Sequence, residues 1–242
     1  MDKINKKSFG FLSYLKNLLR NIFPSYYTRV LYYSYPQYIW AKEIKKILNR
    51  INNPDFTIID APCGDGIISY WLEKSFKNDF ELYDISLKAI EKAKENIKGV
   101  KIFCNDVANI PANNKKAIWL LINSFFLLSD IEDSIQKLRN RVDYIICIFP
   151  ELTSKDFLLW KKENPDYFHP NEMNFDDTVL FFANQGYQLY YQKKTIKISH
   201  YSKRLSLFYP LYLRIFNLCE FFFSARKSYS FNLVVFKKSF NI

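Results

Sequence analysis

Between residues 55 and 150, short apolar runs alternate with stretches whose apolar residues recur at helical spacing. This alternation is typical of β-α-β units, in which helices connect parallel strands. Because such connections are right-handed, we expect every strand to end at one edge of a single sheet. The predicted strands are 56–60, 80–84, 100–104, 118–122 and 144–149, and the predicted helices are 67–74, 87–97 and 131–139.

The chain after Pro150 has a different pattern. A polar loop is followed by a predicted helix at 176–185 and by two strand-like stretches at 187–199 and 228–237. Residues 203–227 lie between those two stretches and are apolar on nearly every side, but a proline and charged residues interrupt them. We therefore expect a helical insert before the last strand rather than a membrane span.

The first 53 residues predict a basic helical extension or lid in front of one domain at 54–242. An amphipathic helix is expected in residues 9–23, ended by Pro24. A second helix is expected to begin near Ser34 and to carry an apolar stripe formed by Trp40, Ile44, Ile47, Leu48 and Ile51.

Basic residues are concentrated at the two ends of the chain. Of the net charge of +11, residues 1–50 carry +8 and residues 190–242 carry +9, whereas the middle carries −6. A basic surface of this kind attracts an anionic membrane, nucleic acid or an acidic substrate, and a solvated face that has no partner is the alternative.

Four cysteines stand far apart, without the spacing of a zinc site or a disulfide framework, so no metal is expected. The sequence has no recognisable secretory signal and no uninterrupted apolar stretch long enough for a membrane span. We expect a cytoplasmic protein, with peripheral association at the inner face of the membrane as a further hypothesis.

Two of the five glycines, Gly64 and Gly66, follow the first predicted strand in "IIDAPCGDG". Asp60 ends that strand, at the position where an α/β sheet leaves backbone N–H groups free for a ligand. Glycine there permits a tight turn and the close approach of a ligand. The simpler alternative is a tight connection and nothing more.

Acidic residues also end the second and third strands. Asp84, in "ELYDIS", lies 20 residues beyond Gly64, where an acid can accept both hydroxyls of a ribose. Asp106, in "FCNDV", is expected at the same edge, where its carboxylate can accept an adenine amine while Val107 covers the ring face. For Asp84, the alternative role is to cap the helix that begins near Ser86.

Residues 57–150 resemble the class I S-adenosylmethionine-dependent methyltransferases. The resemblance rests on "IIDAPCGDG", "ELYDIS" with "AIEKAKEN", "NDVANIP", "WLLINSFFLLSD" and "DYIICIFPEL", which occur in the family's order. It implies an α/β, Rossmann-like, doubly wound seven-stranded sheet whose last strand is antiparallel. It also implies S-adenosyl-L-methionine as the cofactor and methyl transfer as the activity.

The resemblance implies cofactor contacts at the matching positions. Asp84 and Ile85 would bind the ribose and adenine, Asp106 and Val107 the adenine edge and face, and Asn123 would lie near the sulfonium. The methionine part of the cofactor would be lined by Asp60, Cys63, Gly64 and Gly66. Pro62 stands where the family usually has glycine, so the turn must tolerate a fixed φ and a missing N–H.

Other functions compete with the methyltransferase hypothesis. A nicotinamide-dependent oxidoreductase would need a third glycine where Ser69 stands, and it has no role for Asp106. A non-catalytic cofactor-binding protein and a membrane-associated partner protein are further alternatives.

The expected acceptor is a small molecule or a lipid-linked molecule, the latter because both basic ends flank apolar segments. His169 is the candidate general base, with a surface histidine as the alternative. Tyr33 and Tyr35 are candidate acceptor residues, with core packing as the alternative. A nucleic-acid acceptor is not expected, because the Asn/Asp-Pro-Pro-aromatic motif of base-amine methyltransferases is absent.

Overall fold

The computed structural model describes residues 35–111, 115–128, 130–154, 157, 158, 161, 162, 172–196 and 229–239. Its helices are α1 (Tyr35–Ile51), α2 (Ile67–Glu73), α3 (Leu87–Asn96), α4 (Ile131–Leu138) and α5 (Phe175–Asn184). Its strands are β1 (Thr57–Asp60), β2 (Phe80–Asp84), β3 (Lys101–Cys104), β4 (Ala117–Ile122), β5 (Val142–Pro150), β6 (Tyr187–Ile196) and β7 (Tyr229–Lys238). Short 3-10 turns follow β3 and β4, at Val107–Asn109 and Phe125–Leu127.

The strands form one seven-stranded sheet in the order β3-β2-β1-β4-β5-β7-β6. Strands β1 to β5 pair in parallel, whereas β7 runs antiparallel to both of its neighbours, β5 and β6. The chain order reverses between β1 and β4, which is where open α/β sheets bind their ligands. The predicted seven-stranded, doubly wound sheet with an antiparallel last strand is therefore confirmed.

Burial explains why the central strands are apolar along their whole length. All four residues of β1 and all five of β2 are buried, which is expected when helices cover both faces of a parallel sheet. The core on one face contains residues from every strand but β3, from two helices and from the turn after β3, among them Ile59, Trp119, Cys147, Phe236, Ile135, Phe182 and Val107. The edge strand β3 is largely exposed.

Helix α1 packs against the antiparallel end of the sheet. Of the predicted apolar stripe, Ile51 is half-buried, and the buried members are Trp40, Ile44, Ile47 and Leu48. The Trp40 ring meets the ring of Phe231 on β7 edge to face, at 4.9 Å between centroids. Glu43 accepts a hydrogen bond of 2.7 Å from Lys193 on β6.

Several predicted segments lie outside the described residues: the amphipathic helix in 9–23, Tyr33, His169 and the whole insert at 203–227. The division into an extension at 1–53 and a domain at 54–242 stays a prediction. In the described part of the chain, no helix combines the length and the apolar character that crossing a bilayer would require.

One charged pair is buried within the sheet, between Glu81 on β2 and Arg141 just before β5. Their side chains are 7% and 3% exposed and are joined by a 2.8 Å hydrogen bond. The Tyr83 hydroxyl donates to the same Glu81 oxygen at 3.1 Å, and Arg141 also donates to the carbonyl of Pro111. Burial and the Glu81 charge raise the pKa of Tyr83 to about 12. The phenol is therefore a proton donor to Glu81 at neutral pH.

We expect Arg141→Ala to lower the free energy of unfolding by about 3–5 kcal/mol, because Glu81 would remain charged and buried without its partner. Lys137→Ala is the control, since it breaks an exposed ion pair with Asp133 and should cost less than about 0.5 kcal/mol. Urea unfolding followed by circular dichroism measures both losses. Equal losses for the two variants would contradict the importance of the buried pair.

Candidate functional site

The three predicted acidic residues lie at the same edge of the sheet. Asp60 ends β1 and is paired with Leu82, so Asp84 stands two residues further along the parallel strand β2. Asp84 is in turn paired with Cys104, the last residue of β3, and Asp106 follows two residues later. The carboxyl ends of β1, β2 and β3 therefore bring these residues to one side of the molecule.

The turn from β1 into α2 is built from backbone hydrogen bonds and two left-handed residues. Gly64 and Gly66 have φ of +54° and +71°, and the peptide bond before Pro62 is cis. The Cys63 N–H donates to the carbonyl of Tyr83 on β2 at 2.9 Å, and the Gly66 N–H donates to the Cys63 carbonyl at 3.0 Å. Pro62 is thus accommodated within a turn that β2 supports.

The two glycines serve different purposes. A Cβ atom at Gly66 would lie 3.2 Å from both Ala93 on α3 and Leu82 on β2, so this glycine permits close packing. A Cβ atom at Gly64 would meet no atom of the described residues within 4 Å. Among these residues, Gly64 is therefore required for its backbone conformation and not for close packing.

Asp84 connects the glycine turn to the second strand. Its Oδ2 accepts a 2.9 Å hydrogen bond from the Gly64 N–H, and its Oδ1 accepts another of 2.9 Å from the Ser86 N–H. The cap of α3 is provided by the Ser86 side chain, which accepts from the Ala89 N–H. Helix capping is therefore not the main role of Asp84. A carboxylate has about four acceptor positions, so it can still accept from ligand hydroxyls.

Asp60 is a buried carboxyl group, 2% exposed. Its Oδ2 accepts a 2.7 Å hydrogen bond from the hydroxyl of Ser69 on α2. Burial raises the pKa of Asp60 to about 7, aided by the charges of Asp84 and Asp65 and opposed by the Ser69 hydrogen bond. A positively charged ligand group nearby would favour the ionised form and lower this pKa.

Asp106 and its neighbours form the part of the site at β3. The Asp106 side chain accepts a 2.8 Å hydrogen bond from the Ala108 N–H and so caps the 3-10 turn. Val107 is buried in the core, whereas the Ile85 side chain is 72% exposed. Among these residues, Ile85 presents the most accessible apolar surface to a ring.

The end of β4 completes this edge of the sheet. Asn123 follows β4 with φ of +53°, a conformation that asparagine adopts more readily than most residues. Its N–H donates to the carbonyl of Ile148 on β5 at 2.6 Å. Ser124 follows and is 5% exposed.

The Cys63 thiol faces Gly64 and donates to its carbonyl at 3.5 Å. Burial, together with the charges of Asp60 and Asp84, raises the pKa of this thiol far above its ordinary value. Cys63 is therefore a neutral, polarisable part of the turn rather than a nucleophile.

Two contributing residues were not identified from sequence. In the sequence Ser69 marks only the position of an absent third glycine, yet its hydroxyl donates a hydrogen bond to Asp60. Trp119 on β4 donates from Nε1 to the Ala61 carbonyl at 2.8 Å and supports the turn from below. Ser69 lies on the apolar face of α2, and Trp119 lies on the apolar face of β4. A side chain with a polar atom on such a face is the only feature of the sequence that could have indicated these contacts.

Of the remaining candidates, Tyr35 is the first residue of α1, and Tyr33 and His169 lie outside the described residues. Within the described ranges, no group of three or more histidine, cysteine or acidic side chains is arranged to hold a metal ion. The arrangement at the strand ends instead suits an organic ligand with hydroxyl groups and positive charge, because carboxylates accept hydrogen bonds and attract cations.

Structural comparison finds the same architecture in solved methyltransferases. The plantazolicin methyltransferase BpumL, in complex with SAH, is 16% identical with a TM-score of 0.56, covering 99% of this chain and 92% of that one. The magnesium protoporphyrin IX methyltransferase of Synechocystis PCC 6803, with bound SAH, is 14% identical with a TM-score of 0.55, covering 93% and 100%. The chain has the class I methyltransferase fold.

A SAM-dependent methyltransferase from Aquifex aeolicus shows the same fold at 14% identity and a TM-score of 0.52, covering 80% of this chain and 88% of that chain. By sequence, the chain matches no protein-family model and no curated protein. The class I methyltransferase fold is thus recognised here from structure, in agreement with the motif resemblance.

We expect Gly66→Ala to lower the free energy of unfolding by about 2–4 kcal/mol, because the added methyl combines a strained φ with contact against packed side chains. Gly64→Ala should cost only about 1 kcal/mol, since its Cβ meets none of the described residues. Chemical denaturation of both variants measures the difference. A cost at Gly64 equal to that at Gly66 would show that the turn is packed on both sides.

We expect Asp60→Asn to stabilise the protein at high pH. The folded-state pKa of about 7 lies above the ordinary 3.8, so the stability that protonated Asp60 contributes is complete below pH 4 and is lost as the pH rises through 7. At pH 8 the free energy of unfolding of the variant should therefore exceed that of the parent protein by up to about 4 kcal/mol. At pH 4.5 the difference between the two proteins should be small.

Asp79 provides the opposite case as a control. It is an exposed carboxylate whose pKa is lowered by its hydrogen bond from Lys115, so Asp79→Asn should not stabilise the protein at pH 8. Thermal denaturation from pH 4.5 to 8.5 distinguishes the two variants. A pH-independent difference between Asp60→Asn and the parent protein would contradict the raised pKa.

Proposed function

We propose that this protein is an S-adenosylmethionine-dependent methyltransferase that acts on a small-molecule acceptor. The observation that carries the proposal is the hydrogen bond from the Gly64 N–H to Asp84 Oδ2, which joins the glycine turn to the acid at the end of β2. This bond places Gly64, which has no side chain, next to a carboxylate that can accept ribose hydroxyls.

The charges of the site support this cofactor. S-adenosylmethionine carries a sulfonium and an ammonium group, and the carboxyls of Asp60 and Asp84 lie close enough for the charge of one to raise the pKa of the other. A cationic ligand relieves this repulsion, whereas the diphosphate of a nicotinamide cofactor would add to it. Ser69, which stands at the third glycine position of the nicotinamide motif, is buried and bound to Asp60.

The acceptor class is supported by the structural relatives. The neighbours named for plantazolicin and for magnesium protoporphyrin IX act on molecules other than nucleic acids, according to their names. We therefore favour a small-molecule acceptor for this chain. The hypothesis of a lipid-linked acceptor depends on the basic ends of the sequence and stays a prediction. The cytoplasmic location also stays a prediction.

Catalysis by such a site consists mainly of alignment and the exclusion of water. When bound, S-adenosylmethionine supplies a methyl group that bonds to a lone pair of the acceptor, while the carbon–sulfur electron pair stays on sulfur and any displaced proton passes to water. Asp84 would hold the nucleoside hydroxyls, Gly64 would admit the amino-acid part, and Asp60 in its ionised form would balance positive charge. A general base at His169 stays a prediction.

The proposal is tested by cofactor binding to Asp84→Asn. We expect the dissociation constant for S-adenosylmethionine, measured by isothermal titration calorimetry, to rise about 10- to 100-fold, because a charge-assisted acceptor is lost. Asp79→Asn removes a carboxylate from the opposite edge of the sheet and should bind like the parent protein. No measurable binding by the parent protein, or unchanged binding by Asp84→Asn, would refute the proposal.

Turnover separates an enzyme from a non-catalytic binder. The parent protein, incubated with the small-molecule fraction of a cell extract and labelled cofactor, should transfer label to an extract component and release S-adenosylhomocysteine. Binding without any transfer would support the non-catalytic alternative.

A further inference from the structure

The amino-terminal edge of the sheet is basic, in contrast to the acidic edge at the carboxyl ends of β1, β2 and β3. The parallel strands begin at this edge, and the antiparallel strand β7 ends there, since Lys237 is paired with Tyr144 near the start of β5. Lysines lie close to the strand ends along this edge, namely Lys77, Lys101, Lys115, Lys116, Lys237 and Lys238. Outside the buried pair of Glu81 and Arg141, the acidic residues beside them are Asp55, Asp79 and Asp143. Positive charge is therefore in excess here.

Helix ends do not explain most of this charge. Lysine is favoured in the last turn of a helix, where it balances the helix dipole. Lys115 and Lys116 instead directly precede β4, and Lys237 and Lys238 are the last two residues of β7. A solvated face without a partner is the alternative, and the shape and aromatic content of the edge argue against it.

A cavity of about 480 Å³ opens at this edge, and ligand sites commonly have volumes of about 300–1,000 Å³. The cavity is lined by apolar, basic and acidic side chains: Pro54, Phe56, Lys77, Lys115, Lys116, Asp55 and Asp79. The ring of Phe56 provides an apolar wall, and Asp79 is already bonded by Lys115 at 2.6 Å. This lining suits an anion that carries a ring.

The cations of the cavity are accessible to an anionic ligand. Lys77 is exposed and makes no hydrogen bond or ion pair with the described residues. Lys115 and Lys116 pair with Asp79 and Asp143, but the two lysine side chains are 62% and 48% exposed. Exposed ion pairs contribute little to stability, so a phosphate can compete with either aspartate for its lysine.

A row of aromatic rings runs from the cavity to β6, at the end of the sheet. The Phe56 ring lies 6.1 Å from the ring of Tyr144 on β5, which lies 5.8 Å from the ring of Tyr190 on β6, between centroids. The ammonium of Lys237 is 5.8 and 5.9 Å from the centroids of the two tyrosines. Tyr190 is 50% exposed. Rings and cations therefore stand side by side along this edge.

This combination indicates the class of partner. Proteins that bind single-stranded nucleic acid use cations that follow the phosphates and aromatic rings on which the bases stack. Neighbouring strands are about 4.8 Å apart, so the edge from β3 to β6 spans about 29 Å, which is longer than one nucleotide. A bilayer would instead favour apolar side chains that protrude, whereas Phe56 is in the wall of a cavity and Tyr144 is half-buried.

We propose that the amino-terminal edge of the sheet binds a single-stranded nucleic acid, with phosphates held by the three lysines of the cavity and a base stacked on Tyr190. The cofactor residues lie at the opposite edge, so the nucleic acid is a docking partner and not the methylated molecule. This inference goes beyond the proposed methyltransferase function and does not depend on it.

The test measures the binding of a fluorescently labelled oligothymidylate of about 12 nucleotides to the full chain by fluorescence anisotropy. We expect a dissociation constant of about 1–100 μM near physiological salt. A plot of the logarithm of the binding constant against the logarithm of the salt concentration should have a slope of about −2, because about three phosphates are contacted.

The phosphate contacts are tested by removing charge. The double variant Lys77→Ala, Lys116→Ala should bind more weakly, with a slope shallower by about 1.4, because two cation–phosphate contacts are lost. The control is the double variant Lys42→Ala, Lys88→Ala, which removes the same charge from exposed positions on α1 and α3 and should keep the slope of the parent protein. Equal effects of the two double variants would indicate attraction by net charge alone and would overturn the proposal.

The stacking contact is tested at Tyr190. Tyr190→Ala should raise the dissociation constant about 5- to 50-fold and leave the salt slope unchanged, because a ring is lost but no charge. Tyr190→Phe keeps the ring and should bind like the parent protein. Thermal unfolding shows that each variant is folded. Unchanged affinity in a folded Tyr190→Ala variant would contradict the nucleic-acid site.

Vesicles of phosphatidylglycerol test the membrane alternative. If the folded parent protein binds these vesicles but not the oligonucleotide, the edge is a membrane surface and the proposal is overturned. Absence of binding to both also overturns it. The variants should bind S-adenosylmethionine like the parent protein. A parent protein that binds the oligonucleotide but not S-adenosylmethionine would refute the proposed function and leave this inference in place.

Discussion

The site depends on the hydrogen bond between the Gly64 N–H and the carboxylate of Asp84. The bond joins two elements that are adjacent in the sheet but 20 residues apart in the chain, and it fixes the conformation of the turn after β1. A second bond, from the Cys63 N–H to the Tyr83 carbonyl, holds the same turn to the same strand. Because β2 is buried along its whole length, these two bonds anchor the turn to a rigid part of the core.

This arrangement places stability and function in opposition at Asp60. A carboxyl group buried at the end of β1 is costly to ionise, as its raised pKa shows. The charge that weakens the folded protein is the one that would attract a cationic ligand. Ser69 reduces the cost with a single hydrogen bond and leaves the other carboxyl oxygen unused by it. Conflicts of this kind are typical of binding sites, where local stability is lower than packing alone would allow.

The parallel part of the fold could be predicted closely from the sequence. The predicted strand at 80–84 coincides with β2, and the other predicted strands of the parallel part begin and end within two residues of those observed. The reason is physical: strands buried on both faces are continuously apolar, and the polar residues that end them mark the edge of the sheet. Asp60, Asp84 and Asp106 were found in this way.

Other features of the core and of the site depend on contacts between distant residues, which periodicity does not encode. Glu81 and Arg141 are 60 residues apart, and neither residue's surroundings in the sequence suggest a buried pair. The bond between Ser69 and Asp60 requires α2 to pack against the end of β1. The missing side-chain cap at Ser124 is likewise a property of the folded structure. A sequence indicates which residue types are present, whereas pairing and its absence are properties of the folded chain.

The place of β7 in the sheet has a consequence for how the protein is made. This strand is the last of the seven described strands in the sequence, yet it lies between β5 and β6, and among those strands it alone pairs with β6. During synthesis on the ribosome, β6 emerges before β7, and one edge of β5 also stays open because β7 is to pair with it. The nascent chain therefore exposes unpaired edges of β5 and β6 until residues 229–238 have been translated, and such edges favour aggregation.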